Sequence, residues 1–253
     1  MRVFALSDIH VDYDVNKRWI ADLSAQDYRD DVLILAGDVS DSTTLLEWCL
    51  NTLANRFKQV LFVPGNHDLW VMRDDPSVNS LDKFMTVCNV AENCRVSMQT
   101  FHHGTLSIVP LHGWYDYSFG LPGRELPAGW MDFRACRWPD AFSADDITAH
   151  FLAMNQTRLN LQNETVISFS HFLPRIDVMP AFIPAEKKFI YPVLGTDKLD
   201  AQIRKIESHI HVYGHSHVNR RVTIDGVSYI NNAFGYPQET RIAGKQLVCI
   251  FEM

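Results

Sequence analysis

The sequence lacks the features that would place it among membrane, secreted or disulfide-rich proteins. No apolar run approaches the roughly 20 residues that a membrane-spanning helix needs. Met1 and Arg2 lead directly into a strand-like segment, so no signal peptide is expected. The five cysteines are odd in number and lack C-x-x-C spacing. This pattern indicates free thiols and favours a reducing, cytoplasmic location.

The sequence also has fewer basic than acidic residues. The chain has 23 lysine and arginine residues against 30 acidic ones, which gives a net charge of -7. A general nucleic-acid binder needs a basic surface, so this balance disfavours one. The 253 residues, 47% of them hydrophobic, have the composition of a globular protein. We expect one α/β domain over residues 1–253.

Polar residues follow several apolar segments at the point where each segment ends. The segments 3–6, 32–36, 59–63, 165–169 and 211–213 have the composition of buried strands. Helical patterns between the first three favour a parallel sheet, and ligands collect at the carboxyl ends of such strands. The polar side chains at these ends are Asp8, His10, Asp38, Asn66, His171, His215 and His217.

Further elements are predicted from periodicity and capping. Apolar residues at helical spacing predict helices over 16–25, 80–90, 143–161 and 197–207. An Asp-Gly turn predicts a hairpin over residues 221–230. Two stretches, residues 114–138 and 172–195, have no clear period and are predicted to be long irregular insertions.

The strand-end residues comprise four imidazoles, two carboxylates and one amide. This set is too large for one tetrahedral zinc ion and lacks the thiolates of a structural zinc site. It suits two divalent ions of the Mn, Fe, Co, Ni or Zn group, about 3.5–4 Å apart and bridged by a carboxylate. Taken singly, each short motif is equally compatible with a capped turn, and His171 with a hydrogen-bonded core imidazole.

The order of the motifs resembles that of the calcineurin-like metallophosphoesterases. The motifs are D-x-H at 8–10, G-D-x-x-D at 37–41, G-N-H-D at 65–68, a lone histidine at 171 and G-H-x-H at 214–217. The resemblance spans most of the chain. It implies a four-layer α/β sandwich of two mixed β-sheets flanked by helices, with a two-metal site at the strand ends.

The resemblance also implies a role for each motif residue. One ion would be bound by Asp8, His10, Asp38 and His217. The other would be bound by Asp38, Asn66, His171 and His215, so that Asp38 bridges the two ions. His67 matches the catalytic histidine of the family, which is not a ligand. Asp68 would orient His67, since a carboxylate can fix the tautomer of an imidazole.

The function implied is that of a dinuclear metal-dependent phosphoesterase. It would hydrolyse a small phosphodiester, nucleotide or phosphomonoester by attack of a metal-bound hydroxide. The alternatives are a nuclease acting on polymeric nucleic acid and a non-catalytic metal-binding scaffold of the same fold. The acidic net charge disfavours the first, and the complete ligand set disfavours the second. We expect no membrane partner, and the oligomeric state is not predicted.

The sequence departs from the family pattern directly after Asp41. Many members have an arginine there, whereas this chain has Ser42. Arg175 could supply the missing phosphate contact, as could an arginine at 124, 134 or 137, although each is also compatible with an ordinary surface position. A site without that arginine suits a diester, which carries one ionised phosphoryl oxygen fewer than a monoester.

The two insertions supply the remaining candidate substrate contacts. His112 precedes the first insertion, and Trp114 and Tyr115 begin it. If these aromatic residues wall the site, they narrow it and favour a small ester with a planar or apolar group over a folded protein. The alternative is that they pack as core and leave the metal site open.

Overall fold

A computed structural model describes residues 1–161 and 163–253. The strands form two mixed sheets. The first has the order β10-β1-β2-β3, in which β10 is antiparallel to its neighbour. Its strands are β1 (Arg2–Leu6), β2 (Val32–Ala36), β3 (Gln59–Val63) and β10 (Val248–Glu252). The strands β2 and β3 cover the residues predicted for them.

The second sheet has six strands in the order β4-β5-β6-β7-β9-β8. Its strands are β4 (Phe101–His103), β5 (Leu106–Pro110), β6 (Thr165–Phe169), β7 (Ile210–Tyr213), β8 (Arg220–Ile224) and β9 (Val227–Asn231). The pairs β5·β6, β6·β7 and β7·β9 are parallel. The predicted hairpin is β8–β9, and its turn residues Asp225 and Gly226 both have positive φ, as a type I′ turn requires. The short edge strand β4 was not predicted.

Helices cover the outer faces of both sheets. They are α1 (Asp14–Ala21), α2 (Thr43–Ala54), α3 (Ser80–Asn93), α4 (Leu126–Gly129), α5 (Asp132–Ala135), α6 (Ala144–Met154) and α7 (Asp197–Lys205). Side chains from one face of each sheet meet in a common apolar layer, as Ile34 and Ile167 do. The opposite faces pack on helices, so the predicted four-layer α/β sandwich is confirmed. None of the helices described is long and apolar enough to cross a membrane.

Two expectations about the connections differ from the structure. The helix predicted over 143–161 ends at Met154, and the side chain of its C-cap residue Asn155 bonds to the backbone of His112 and to Gln202. The insertion 114–138 contains the one-turn helices α4 and α5, and residues 172–195 contain two 3₁₀ segments, Ile176–Val178 and Ala185–Val193. Both insertions are therefore ordered, with short helical turns.

Candidate metal centre

The strand-end residues lie on loops with unusual backbone geometry. The residues with left-handed φ values are Asp8 (52°), His10 (42°), Asp38 (57°), His215 (67°) and His217 (54°). Side chains other than glycine rarely adopt such values, and they persist only where the surrounding structure enforces them. At this edge of the sheets the backbone is held in strained turns that direct polar side chains inward.

These side chains form two buried groups that share Asp38. We call Asp8, His10, Asp38 and His217 the His217 group. We call Asp38, His171 and His215, together with the adjoining Asn66, the His171 group. Within each group the carboxylate and imidazole atoms that could bind an ion lie within 4.8 Å of one another. The structure thus brings together all seven candidate ligands, in the two sets that the family resemblance implies.

The tautomers in the His171 group follow from its hydrogen bonds. Nδ1 of His171 lies 2.9 Å from the Ala36 carbonyl oxygen, and Nε2 of His215 lies 3.0 Å from that of Val193. A carbonyl oxygen can only accept, so each of these nitrogens carries the proton. The remaining nitrogens, Nε2 of His171 and Nδ1 of His215, therefore point lone pairs at each other across 3.0 Å. A cation between them resolves this conflict, so the group fits a metal ion.

The His217 group shows the same arrangement. Nδ1 of His217 lies 2.7 Å from a Glu239 carboxylate oxygen and donates to it. Nε2 is then the nitrogen left to bind an ion, and it lies 3.2 Å from Asp8 Oδ1 and 3.2 Å from Nε2 of His10. Glu239 acts here as the carboxylate that commonly orients a metal-binding imidazole.

Electrostatics also favour added positive charge. Burial, followed by the charges of Asp8 and Asp68, raises the pKa of Asp38 well above its usual value. Burial lowers the pKa of His217, but Asp8 and then Glu239 outweigh it and raise that pKa to about 10. The carboxylates of this site therefore require cations close by, which bound metal ions provide.

Close packing around Asp38 depends on a glycine. A Cβ atom on Gly65 would lie 2.2 Å from Asp38 Oδ1 and 2.6 Å from Cε1 of His171. Neither side chain can move away without leaving its group. Gly65 is therefore required by the approach of β3's terminal loop to the shared carboxylate.

His67 lies beside the two groups at the mouth of the site. Its backbone N–H donates to Asp38 Oδ1 at 2.9 Å, and its ring stacks on Trp70 with centroids 3.6 Å apart. Nε2 of His67 is 3.4 Å from the Tyr236 hydroxyl. Burial, followed by the charges of His217 and His171, lowers the pKa of His67 to about 3, so the imidazole is neutral near pH 7.

Asp68 does not contact the His67 ring. Its buried carboxylate accepts backbone N–H groups from Asp38, Val39, Ser40 and Gly65, at 2.8–3.0 Å. The 3₁₀ turn His67–Leu69 directs the Asp68 side chain into the loop after β2, away from the neighbouring imidazole. Asp68 therefore joins the loops that carry Asp38 and Asn66, which is a different role from the expected orientation of His67.

A cavity of about 200 Å³ adjoins the His171 group. It is lined by Asn66, His67, Trp70, Gly129, Trp130, Met131, Asp132 and Tyr236. Trp130, Met131 and Asp132 come from the first insertion. The insertion therefore does reach the site, but through its second half.

Comparison with known proteins agrees with this geometry. Residues 1–219 match the family described as calcineurin-like phosphoesterase. The chain belongs to that family. This phosphoesterase is 29% identical over 261 residues to the [acyl-carrier-protein] phosphodiesterase PptH of Mycobacterium tuberculosis, covering 94% of this chain and 79% of PptH. The crystal structure of PptH, given as a phosphopantetheinyl hydrolase, superposes with a TM-score of 0.79 at 25% identity, covering 100% of this chain and 96% of that one.

The family and the site together define the reaction class. This phosphoesterase is a metal-dependent phosphoric ester hydrolase that uses two divalent metal ions. It is an enzyme, and the alternative of a non-catalytic scaffold is no longer needed. The family and metal predictions drawn from the motif order are confirmed.

The proposed substrate contacts lie away from the cavity. The Arg175 guanidinium bonds to the carboxylates of Asp177, Asp200 and Asp225, which leaves no free face for a phosphate. His112 is 4% exposed and packs edge-on against Phe84. These positions argue against both residues as phosphate contacts.

The aromatic residues at the start of the first insertion are core residues. Trp114 is 1% exposed and Tyr115 is 4% exposed, and both pack on Phe172. The Tyr115 hydroxyl is further engaged by the Asp132 carboxylate. Of the two alternatives considered for this stretch, core packing describes these side chains, whereas Trp130 lines the cavity.

Sequence reasoning missed five residues that shape the site. They are Trp70, Trp130, Asp132, Tyr236 and Glu239. Only Trp70 lies near a motif, two residues after Asp68. The others are 19 or more residues from the last motif residue before them, and no periodic pattern marks them. Three-dimensional contacts alone identify them.

Proposed function

We propose that this phosphoesterase hydrolyses a phosphodiester that joins a slender arm to its carrier, and that the phosphopantetheine diester of a carrier protein is its substrate. The observation that carries the proposal is the composition of the cavity beside the metal groups. Its lining includes two indoles, a phenol and Met131, and no lysine or arginine among the residues described. Such a pocket suits an uncharged, partly apolar chain next to the phosphate.

The charge of the site favours a diester over a monoester. A monoester dianion carries one more ionised oxygen than a diester and gains more from an arginine clamp. The family position for such an arginine is Ser42 here, and Arg175 is bound by three carboxylates. A diester can be bound by the two metal ions without that clamp.

The names given to PptH support a carrier protein as the substrate. PptH is named both as a phosphodiesterase of acyl-carrier protein and as a phosphopantetheinyl hydrolase. The match covers the whole of this chain, so the first insertion, which lines the cavity, falls within the shared part. This substrate departs from the expectation that a narrow site excludes a folded protein, because its phosphate is bonded directly to the carrier, which must lie at the mouth of the site while the arm occupies the cavity.

The chemistry assigns distinct tasks to the chain's own residues. When bound, the two ions lower the pKa of water and offset the charge of the phosphoryl oxygens. His67 is neutral, lines the cavity and lies outside both groups, so we assign its ring N–H a hydrogen bond to the phosphoryl group as charge develops in the transition state. Trp70 holds the His67 ring in place by stacking, and Tyr236 borders its free nitrogen.

We further propose that the enzyme works in the cytoplasm with Mn²⁺ or a similar ion. All five cysteines are free, and the ligands are the mixed nitrogen and oxygen donors that this group of metals accepts. Metal analysis of the protein purified from its natural source would test the choice of metal.

The experiment compares four substrates under one condition, with Mn²⁺ present. They are a phosphopantetheine-bearing carrier protein, a small aryl phosphodiester, the matching aryl phosphomonoester and a phosphoserine protein. We expect release of phosphopantetheine, seen as a mass loss of the carrier, and turnover of the aryl diester above that of the monoester. Preference for the monoester or the phosphoserine protein would refute the proposal. A steep loss of binding to DNA or RNA with rising salt would instead support the nuclease alternative.

A further inference from the structure

Asp132 stands at the point where the first insertion meets the metal site. It begins the short helix α5 and is 3% exposed, although nothing in its sequence surroundings marks it. Its Oδ1 accepts from Nδ2 of Asn66 at 2.8 Å and from the Trp70 indole at 2.7 Å. Its Oδ2 accepts from the Trp130 indole at 2.8 Å. One carboxylate thus holds a candidate metal ligand and two walls of the cavity.

We propose that Asp132 is a positioning residue that aims the Asn66 amide oxygen at the ion of the His171 group and couples that ion to the cavity walls. An isolated asparagine can bind with its amide in either orientation. Here the carboxylate can only be approached by the amide N–H₂, so the oxygen faces Nε2 of His171 at 3.0 Å. The orientation that a metal ion requires is therefore set before the ion binds.

The two indoles extend this control to the catalytic groups. The Trp70 ring stacks on His67, and the Trp130 ring meets His215 edge-on with centroids 5.6 Å apart. Both indole N–H groups donate to the Asp132 carboxylate. The same carboxylate therefore fixes the two indole rings that contact His67 and His215. The inference does not depend on which ester is the substrate.

The first test is Asp132→Asn, read by calorimetric titration of the metal-free protein with Mn²⁺. An amide keeps one acceptor oxygen, so its N–H₂ must face either Asn66 and Trp70 or the Trp130 indole. In each case donor opposes donor. We expect one of the two metal equivalents to weaken by about 10–100-fold and the other to bind as in the wild type.

Asp116→Asn is the matched control. Asp116 belongs to the same insertion, is 9% exposed and accepts from Thr196 and Ser118. Its recorded partners include no metal-group residue. If the insertion merely needs buried carboxylates for its fold, both variants lose metal equally. The proposal requires that Asp116→Asn retain two normal equivalents.

A rescue separates positioning from packing. In Asp132→Asn combined with Trp130→Phe, the new N–H₂ no longer meets the Trp130 donor, and the remaining oxygen can accept from Asn66 and Trp70. The second metal equivalent should return to within a few-fold of the wild type. Loss of packing alone would make the double variant worse than either single one.

Three results would overturn the proposal. One is wild-type binding of both equivalents in Asp132→Asn, and another is a folded double variant that still binds one ion weakly. The third is failure of both variants to fold, which would assign Asp132 to folding of the chain. The titration contains no ester, so each result leaves the proposed substrate to its own assay.

Discussion

The variant Asp68→Asn distinguishes two roles for Asp68. In the structure its carboxylate binds backbone N–H groups, whereas its position next to His67 suggests that it orients that imidazole. Each carboxylate oxygen of Asp68 accepts two backbone N–H groups, from Val39 and Ser40 on Oδ1 and from Asp38 and Gly65 on Oδ2. Asparagine keeps one acceptor oxygen, so two buried N–H groups lose their partner and face an N–H₂ group instead. An unsatisfied buried donor costs about 1–3 kcal/mol.

The expected loss in the free energy of unfolding is therefore about 2–6 kcal/mol, a large share of the stability of a typical domain. Urea denaturation of the metal-free protein measures it without the contribution of bound ions. Asp146→Asn is the control, because its carboxylate accepts from the N-cap residue Ser143 at an exposed helix start, where water can replace the lost bond. A loss below about 1 kcal/mol in Asp68→Asn, together with a large fall in turnover, would refute the structural role and favour orientation of His67.

Four further predictions follow from the site and one distant ion pair. Asp38→Asn should weaken both metal equivalents, since both groups share this carboxylate, and metal analysis under excess Mn²⁺ should give fewer than two equivalents. His67→Ala should keep both ions and lower kcat by about 10²–10³, as loss of a hydrogen-bond donor to the transition state does, and loss of metal would mean that His67 is a ligand. Glu239→Gln should weaken one equivalent by about 10–100-fold, measured by calorimetry, because Glu239 fixes the tautomer of His217. Burial raises the pKa of Asp31, but hydrogen bonds from Arg2 outweigh it and lower that pKa below its usual 3.8. Its stabilisation is therefore present above about pH 4 and lost as pH falls through the lowered pKa, so the deficit of Asp31→Asn in urea, which solvent around the exposed Arg2 side chain keeps small, should shrink towards pH 3.

The first insertion contacts both the cavity and the His171 group. Its first half, with Trp114 and Tyr115, packs as core and anchors the segment. Its second half supplies Trp130 to the cavity and the Asp132 carboxylate to Asn66. A change in this insertion can therefore alter the orientation of Asn66 as well as the lining of the cavity.

The sequence alone determined the buried central strands, the motif order and hence the family. Strands β2, β3 and β6 are buried on both faces, so they appear as short apolar runs whose ends are visible without any partner. Each ligand follows such a run within a few residues, and parallel strands bring their carboxyl ends to one edge. Local pattern and simple topology therefore suffice to gather the seven metal-group residues.

Only the tertiary structure decided what surrounds those residues. Asp132 lies 66 residues from Asn66 and Glu239 lies 22 from His217, and both act through long-range hydrogen bonds that leave no periodic trace in the sequence. Adjacency was misleading for Asp68, because a 3₁₀ turn sends its carboxylate to backbone N–H groups near residue 39. Position beside a strand end was equally misleading for Trp114. An aromatic side chain can pack in a core or line a pocket, and Trp114 packs in the core. Hydrogen-bond direction and burial depend on the whole fold, and for these residues they determine the function.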